Sequence, residues 1–298
     1  MGQESSSESD SESAPKLLSW PWRTLPDNQE NLTFVKNYER RKREVKHLRI
    51  LLHGPIGAGK SSFINSVDTV LQGRVTGRAP TDAISGRSFT TKYKTYKFKK
   101  ASGGFYSVVF NDIMGLEKAT NTGVDVEEVK LALEGHVAEN YEFNPKRRLK
   151  VGDSGYRSSP TLADKVQVLV CVFPADQIDF VPKEVVDKLR DIRLAASDMG
   201  IPEMVIITKV DQACPEAKRD LNNVYKSIYL KELVDKCHRF LEIPVNCIYL
   251  VKNYDSEISP NDETDALILS ALKQMVTFGD GYLCYLALTN HKNSCVHF

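Results

Sequence analysis

The sequence predicts an α/β fold, a mostly parallel sheet with helices on both faces. Two observations carry this. From residue 48 onward, short apolar runs alternate with helical patterns, the order expected of a sheet covered on both sides. The first run, Leu48-Arg49-Ile50-Leu51-Leu52, then leads into Gly54-Pro55-Ile56-Gly57-Ala58-Gly59-Lys60-Ser61. That stretch fits G-x-x-x-x-G-K-[ST] at the point where a strand turns into a helix.

The helix after this turn is read from Phe63, Ile64, Val67, Val70 and Leu71, which share one face, with Gly73 suited to its C-cap. Further strands are expected at 92–98, 106–111, 166–173, 204–208 and 246–251. Further helices are expected at 124–140, 182–198, 217–241 and 263–277. The stretch 141–165, with Asn144-Pro145 and Gly152-Asp153-Ser154-Gly155, reads as a surface loop of a length that is uncommon without a purpose.

Four segments follow: an acidic Ser-rich tail at 1–15, an arm at 16–47, a domain at 48–278 and a tail at 279–298. The first tail has almost nothing apolar and is expected to be disordered. It reads as a solubilising segment ahead of a kinase target. Met1-Gly2-Gln3-Glu4-Ser5-Ser6 fits a myristoylation pattern, but acidic residues follow it. In the arm, Trp20-Pro21-Trp22-Arg23 holds both tryptophans and is expected to anchor it to the body. Arg40-Arg41-Lys42-Arg43 reads as a solvated helix face ahead of a nuclear or membrane address.

A net charge of +1 favours neither nucleic acid nor an acidic partner. The apolar runs are too short for a transmembrane segment, and no secretory leader opens the chain. The six cysteines lack C-x-x-C spacing and read as reduced core residues of an intracellular protein. Cys295-Val296-His297-Phe298 outlines a prenylation box, with His297 where an aliphatic residue is usual. The run 281–288 reads as a last helix or strand.

The chemistry lies at strand ends. In the cradle, Gly54 and Gly59 let the backbone approach phosphate oxygens, and the helix N-terminus offers unpaired N–H groups to an anion. Lys60 supplies charge to the β- and γ-phosphates, the Ser61 hydroxyl is a ligand for Mg²⁺, and Ser62 completes the binding stretch. The pattern arises by chance in roughly one in a hundred chains of this length, so the strand–loop–helix context decides it.

Strand 106–111 runs into Asp112-Ile113-Met114-Gly115. Asp112 is expected to hold Mg²⁺ through water, and the Gly115 N–H to sense the γ-phosphate. Strand 204–208 runs into Thr208-Lys209-Val210-Asp211. A carboxylate at Asp211 can accept both N1–H and N2–H₂ of guanine, whereas adenine would leave it desolvated and unpaired. The stem of Lys209 can lie on the purine face. These motifs, in this order, make guanine the favoured base and predict a P-loop, GTPase-like domain binding GTP or GDP with Mg²⁺.

A threonine before the second strand should complete the Mg²⁺ site. Thr76, Thr81, Thr90 and Thr91 are candidates, and Thr90 in Ser88-Phe89-Thr90-Thr91-Lys92 is the choice. Val251-Lys252-Asn253-Tyr254 is expected to flank the base, without the usual S-A-K. Where small GTPases carry a water-orienting Gln after D-x-x-G, this chain has Leu116 and then Glu117. Hydrolysis by the isolated chain is therefore expected to be slow unless a protein partner or a second copy supplies the missing group. A non-hydrolysing nucleotide-binding module stands as the alternative.

With these residues in view, the sequence resembles the interferon-induced protein 44 family. The resemblance rests on Ser19-Trp20-Pro21-Trp22-Arg23, on Gly54 through Val67, on Tyr141-Glu142-Phe143-Asn144-Pro145, on Ser159 through Asp164 and on Asp265 through Leu272. It covers about residues 16–278. Longer members carry an additional N-terminal domain. The resemblance implies a cytoplasmic, interferon-responsive protein of the innate antiviral response with a GTPase-like domain.

Overall fold

In the computed structural model of the protein, the described residues are 16–25, 27–39, 45–79, 90–119 and 122–294, with side chains described through 289. The acidic tail with Gly2, the run Arg40-Arg41-Lys42-Arg43, Thr81, Ser88, Phe89 and Cys295-Val296-His297-Phe298 lie outside them.

The elements in order are α1 (Asn28–Asn37), β1 (Leu48–His53), α2 (Lys60–Gln72), β2 (Lys94–Lys99), β3 (Phe105–Asp112), α3 (Val126–Leu133), β4 (Val168–Pro174) and α4 (Lys183–Asp198). They continue with β5 (Glu203–Thr208), α5 (Val210–Ala213), α6 (Pro215–Arg219), α7 (Ile228–Leu241), β6 (Ile248–Leu250) and α8 (Asp262–Ser294). The strands form one sheet in the order β2-β3-β1-β4-β5-β6. Every pair is parallel except β2 with β3. The fold is α/β with a mostly parallel sheet, as the sequence predicts.

Alternation along each strand divides the core. Ile50, Leu52, Phe110 and Ile206 face α2 and α8, together with Phe63 and Val67. Leu51, Leu169 and Ile207 face the other way, among Leu133, Leu189 and Leu233 of α3, α4 and α7. The caps are local: the Asp27 carboxylate accepts from Glu30 N, Asp125 from Glu127 N, and Ser227 from Leu230 N. Gly73 closes α2 at φ 65°.

Three expectations change. The helix expected over 124–140 stops at Leu133, because Gly135 turns at φ 84° and residues beyond it pair instead. Tyr93 N donates to Tyr141 O, Asn140 N to Tyr93 O and Phe143 N to Thr91 O, so the start of 141–165 is laced to the chain ahead of β2. The helix expected over 217–241 is broken, since Asp220 caps a short 3₁₀ turn and the arm bridges to Ser227 through Leu17. The last helix does not end at 277 but runs through to Ser294. No helix of the described residues is long and apolar enough to cross a membrane.

The arm is anchored at one of its two tryptophans. Trp22 meets Tyr225 edge-to-face at 4.9 Å, and Arg23 donates to Ile248 O and Val245 O while lying over Trp22, Tyr225 and Tyr249. Trp20 is 82% exposed and does not share in the anchorage.

Candidate functional site

The carboxyl ends of β1, β3 and β5 bring the three sequence motifs to one end of the sheet, where ligands of such sheets bind. At the first, Gly54 sits at φ 140°, and a Cβ there would fall 2.2 Å from Val172 O. The cradle therefore starts flush against β4, which only glycine permits. Gly57 and Gly59 also hold positive φ, and Gly59 opens α2 without a side-chain cap. This leaves the first N–H groups of α2 directed out of the helix end.

Lys60 lies buried beneath the loop, its Nζ donating to Pro55 O at 2.9 Å and Gly54 O at 3.3 Å. Burial pulls its ammonium down, countered by Asp112 and then Cys171. Ser61 Oγ donates to Asp112 Oδ2 at 2.6 Å, and Thr90 Oγ1 donates to the same oxygen at 3.2 Å. The two hydroxyl oxygens are 3.4 Å apart. Residues from three separate stretches thus converge on one carboxylate. Asp112 Oδ1 is buried with no hydrogen-bond partner. Burial pushes this carboxyl up, opposed first by Lys60 and then by the two hydroxyls. Two hydroxyls and a carboxylate with one spare oxygen are the hard donors a divalent cation of the Mg²⁺ type takes, so this donor set fits one.

Gly115 packs on the cradle, where a Cβ would stand 2.6 Å from Ile56 Cγ1 and 2.8 Å from Ile56 N. Leu116 is 2% exposed, with its N–H donating to Gly54 O at 3.0 Å. Lys188 of α4 reaches over to donate to Glu117 O at 2.7 Å. The chain after D-x-x-G is therefore fastened to the cradle and to α4.

Thr208 ends β5 fully buried, its Oγ1 donating to Ala58 O at 2.6 Å and standing 3.3 Å from Phe173 O. Lys209 turns through φ 58°, and its carbonyl accepts from Gln212 N and Ala213 N, which starts α5. That turn brings half-buried Asp211 round at the same sheet end, with no hydrogen bond or ion pair among the described residues.

The loop after β6 joins the group in a way that sequence reasoning missed. Asn253 Nδ2 donates to Gly59 O at 3.2 Å, and Tyr254 N donates to Ser66 Oγ at 2.9 Å. Nothing in V-K-N-Y signals those contacts. His53, one residue before the cradle, was also unmarked. It is buried, its Nδ1 has no hydrogen-bond partner, and burial followed by Lys60 lowers its pKa to about 3.

Comparison with known proteins adds a family. No protein-family model matches the chain. It is 32% identical over 253 residues to Interferon-induced protein 44 of Pan troglodytes, a match covering 85% of this chain and 56% of that protein. Interferon-induced protein 44 of Homo sapiens matches at the same identity and coverage, and Interferon-induced protein 44-like of Homo sapiens at 31% over 253 residues. Over that region the chain is similar to the interferon-induced protein 44 family. It spans little more than half the length of the curated interferon-induced protein 44 relatives it matches. Among solved structures, the crystal structure of a probable GTP-binding protein engB matches with a TM-score of 0.39 at 14% identity, covering 68% of this chain and 88% of that one.

Proposed function

We propose that the chain is an interferon-induced guanine-nucleotide-binding protein that works as a slow switch or assembly protein in the cytoplasmic antiviral response. In this reading the cradle from Gly54 to Ser62, with Lys60, holds the phosphates. Ser61, Thr90 and Asp112 hold Mg²⁺, which would neutralise phosphate charge. Gly115 senses the terminal phosphate, and Thr208, Lys209 and Asp211 take guanine. The observation that carries it is the meeting of Ser61, Thr90 and Asp112 beside a cradle to which Thr208 is itself hydrogen-bonded. The relatives' name supports the interferon link, and the cytoplasmic site and antiviral role are what the sequence resemblance implies.

Slow turnover follows from Leu116. A buried leucine whose backbone is pinned to Gly54 has no polar group with which to orient a water. The same observation favours the second reading, a nucleotide-binding module that does not turn over. Single-turnover GTP hydrolysis measured across protein concentrations separates the two. A rate that climbs with concentration supports a partner copy supplying the missing group, and none at any concentration leaves the binding module. Competition of GTP against ATP tests the base, since a preference for ATP would remove the guanine assignment.

A further inference from the structure

The loop over 140–149 is fastened to both of the segments that sense the terminal phosphate in the proposed function. On one side lies the chain around Thr90. One residue on from it, Thr91 O accepts from Phe143 N at 2.8 Å. Tyr93 N donates to Tyr141 O at 2.8 Å, and Asn140 N donates back to Tyr93 O at 2.9 Å. Asn140 turns through φ 63°, which lays the residues after it antiparallel to 91–93 as a short ribbon. On the other side lies α3. Its N-cap Asp125 directly follows Val124, whose N–H donates to Gly115 O at 3.1 Å. The Arg148 guanidinium pairs with that Asp125 carboxylate at 2.8 Å. Farther along α3, Glu128 is fully buried, and its Oε1 accepts from Tyr141 OH at 2.6 Å and from Leu149 N at 3.1 Å.

The anchor is a costly one. A carboxylate withdrawn from water needs its acceptors filled, and Glu128 Oε2 is buried with no hydrogen-bond partner. Burial pushes this carboxyl up, opposed first by the Tyr141 hydroxyl and then by the Leu149 N–H. An apolar pair would hold the loop down without that penalty. What a hydrogen-bonded acid adds is a single orientation. The ring is seated as well, since a Cβ on Gly155 would stand 2.3 Å from Tyr141 Cδ2 and Phe143 meets the ring edge-to-face at 5.2 Å. Tyr141 is therefore fixed at its hydroxyl and its ring, and its carbonyl holds the chain that leads back to Thr90.

We propose that Tyr141 is a positioning residue of the Mg²⁺ site. Through the ribbon with 91–93 it sets Thr90, whose Oγ1 lies 3.2 Å from Asp112 Oδ2. Its hydroxyl on Glu128 ties that placement to the helix that follows Gly115, so the two phosphate-sensing segments share one support. The inference rests on the nucleotide reading above and adds to it the residue that aligns the threonine.

The test is titration of the full chain with GTP in the presence and absence of Mg²⁺, and the readout is the factor by which Mg²⁺ tightens binding. Tyr141→Phe removes one oxygen and keeps the ring. It is expected to lower that factor about threefold or more, to leave Mg²⁺-free affinity unchanged, and to lower the factor no further in a Thr90→Ala background. An unchanged factor overturns the proposal. So does an equal loss with and without Mg²⁺, which marks a purely structural role, and so does a further loss on top of Thr90→Ala, which marks another route. Amide exchange on the unaltered chain gives a second reading that needs no variant. The Phe143 and Leu149 N–H groups are expected to exchange about threefold or more slowly with GTP and Mg²⁺ than with GTP alone, and equal rates overturn the proposal. An unaltered chain that gains nothing from Mg²⁺ defeats the Mg²⁺ site of the proposed function and this inference with it, a result distinct from a variant that behaves like the unaltered chain.

Discussion

One hydroxyl joins stretches 150 residues apart: Thr208 donates to Ala58 O and couples the β5 exit to the cradle. In the proposed function, Asp211 then selects the base through two accepted hydrogen bonds. Asp211→Ala should erode the preference for GTP over ATP by about 1–3 kcal/mol, read as competition binding, while leaving triphosphate affinity otherwise intact. Lys60→Ala should weaken GTP and ATP alike. If neither substitution alters affinity, the site is misplaced.

His53 sets a pH dependence at the same scale. Its folded pKa of about 3 lies below its ordinary value of 6.5. As pH falls from 6.5 toward 3, the unfolded chain binds a proton that the folded chain refuses, so stability drops. The slope contributed by this group approaches about 1.4 kcal/mol per pH unit within that window. Denaturant melts near pH 7 and near pH 5 should show wild type losing more stability than His53→Gln, and equal losses would refute the assignment.

Among the elements, the strands and α2 were legible because their apolar periodicity reports the face they bury. Val168–Pro174 is buried throughout, as a central parallel strand requires. The breaks within 124–140 and 217–241 were not legible. Their apolar residues continue a helical rhythm, yet the backbone is diverted by partners far away in sequence, Thr91 and Tyr93 in one case and Leu17 in the other. The arm shows the same limit, since its two tryptophans look equivalent and, among the described residues, only Trp22 packs on a ring. Trp22→Ala should cost roughly 2–3 kcal/mol and Trp20→Ala no more than about 0.5 kcal/mol, measured by chemical denaturation. Gly54→Ala, which meets Val172 O, should cost about 2 kcal/mol or more and abolish nucleotide binding.

At the scale of the whole molecule, a ligand that binds only the folded chain stabilises it. Mg²⁺ with GTP at about a hundredfold its dissociation constant should add about 2.7 kcal/mol. That raises the melting temperature by on the order of 5 °C. ATP should do less, and Lys60→Ala should show no rise. A melting temperature indifferent to GTP would count against the proposed function even if the fold is unchanged.

By itself the sequence determined the fold class and marked the strand ends where its motifs gather. Burial periodicity and a glycine-rich turn are local properties, set by residues within a few positions of one another. Only the tertiary structure decided what meets what: that Thr90 shares a carboxylate oxygen with Ser61, that Asn253 reaches Gly59, and that Arg49 donates across the sheet to Thr95 and Asn111. Those contacts depend on strand order and register, which arise from packing the whole chain at once.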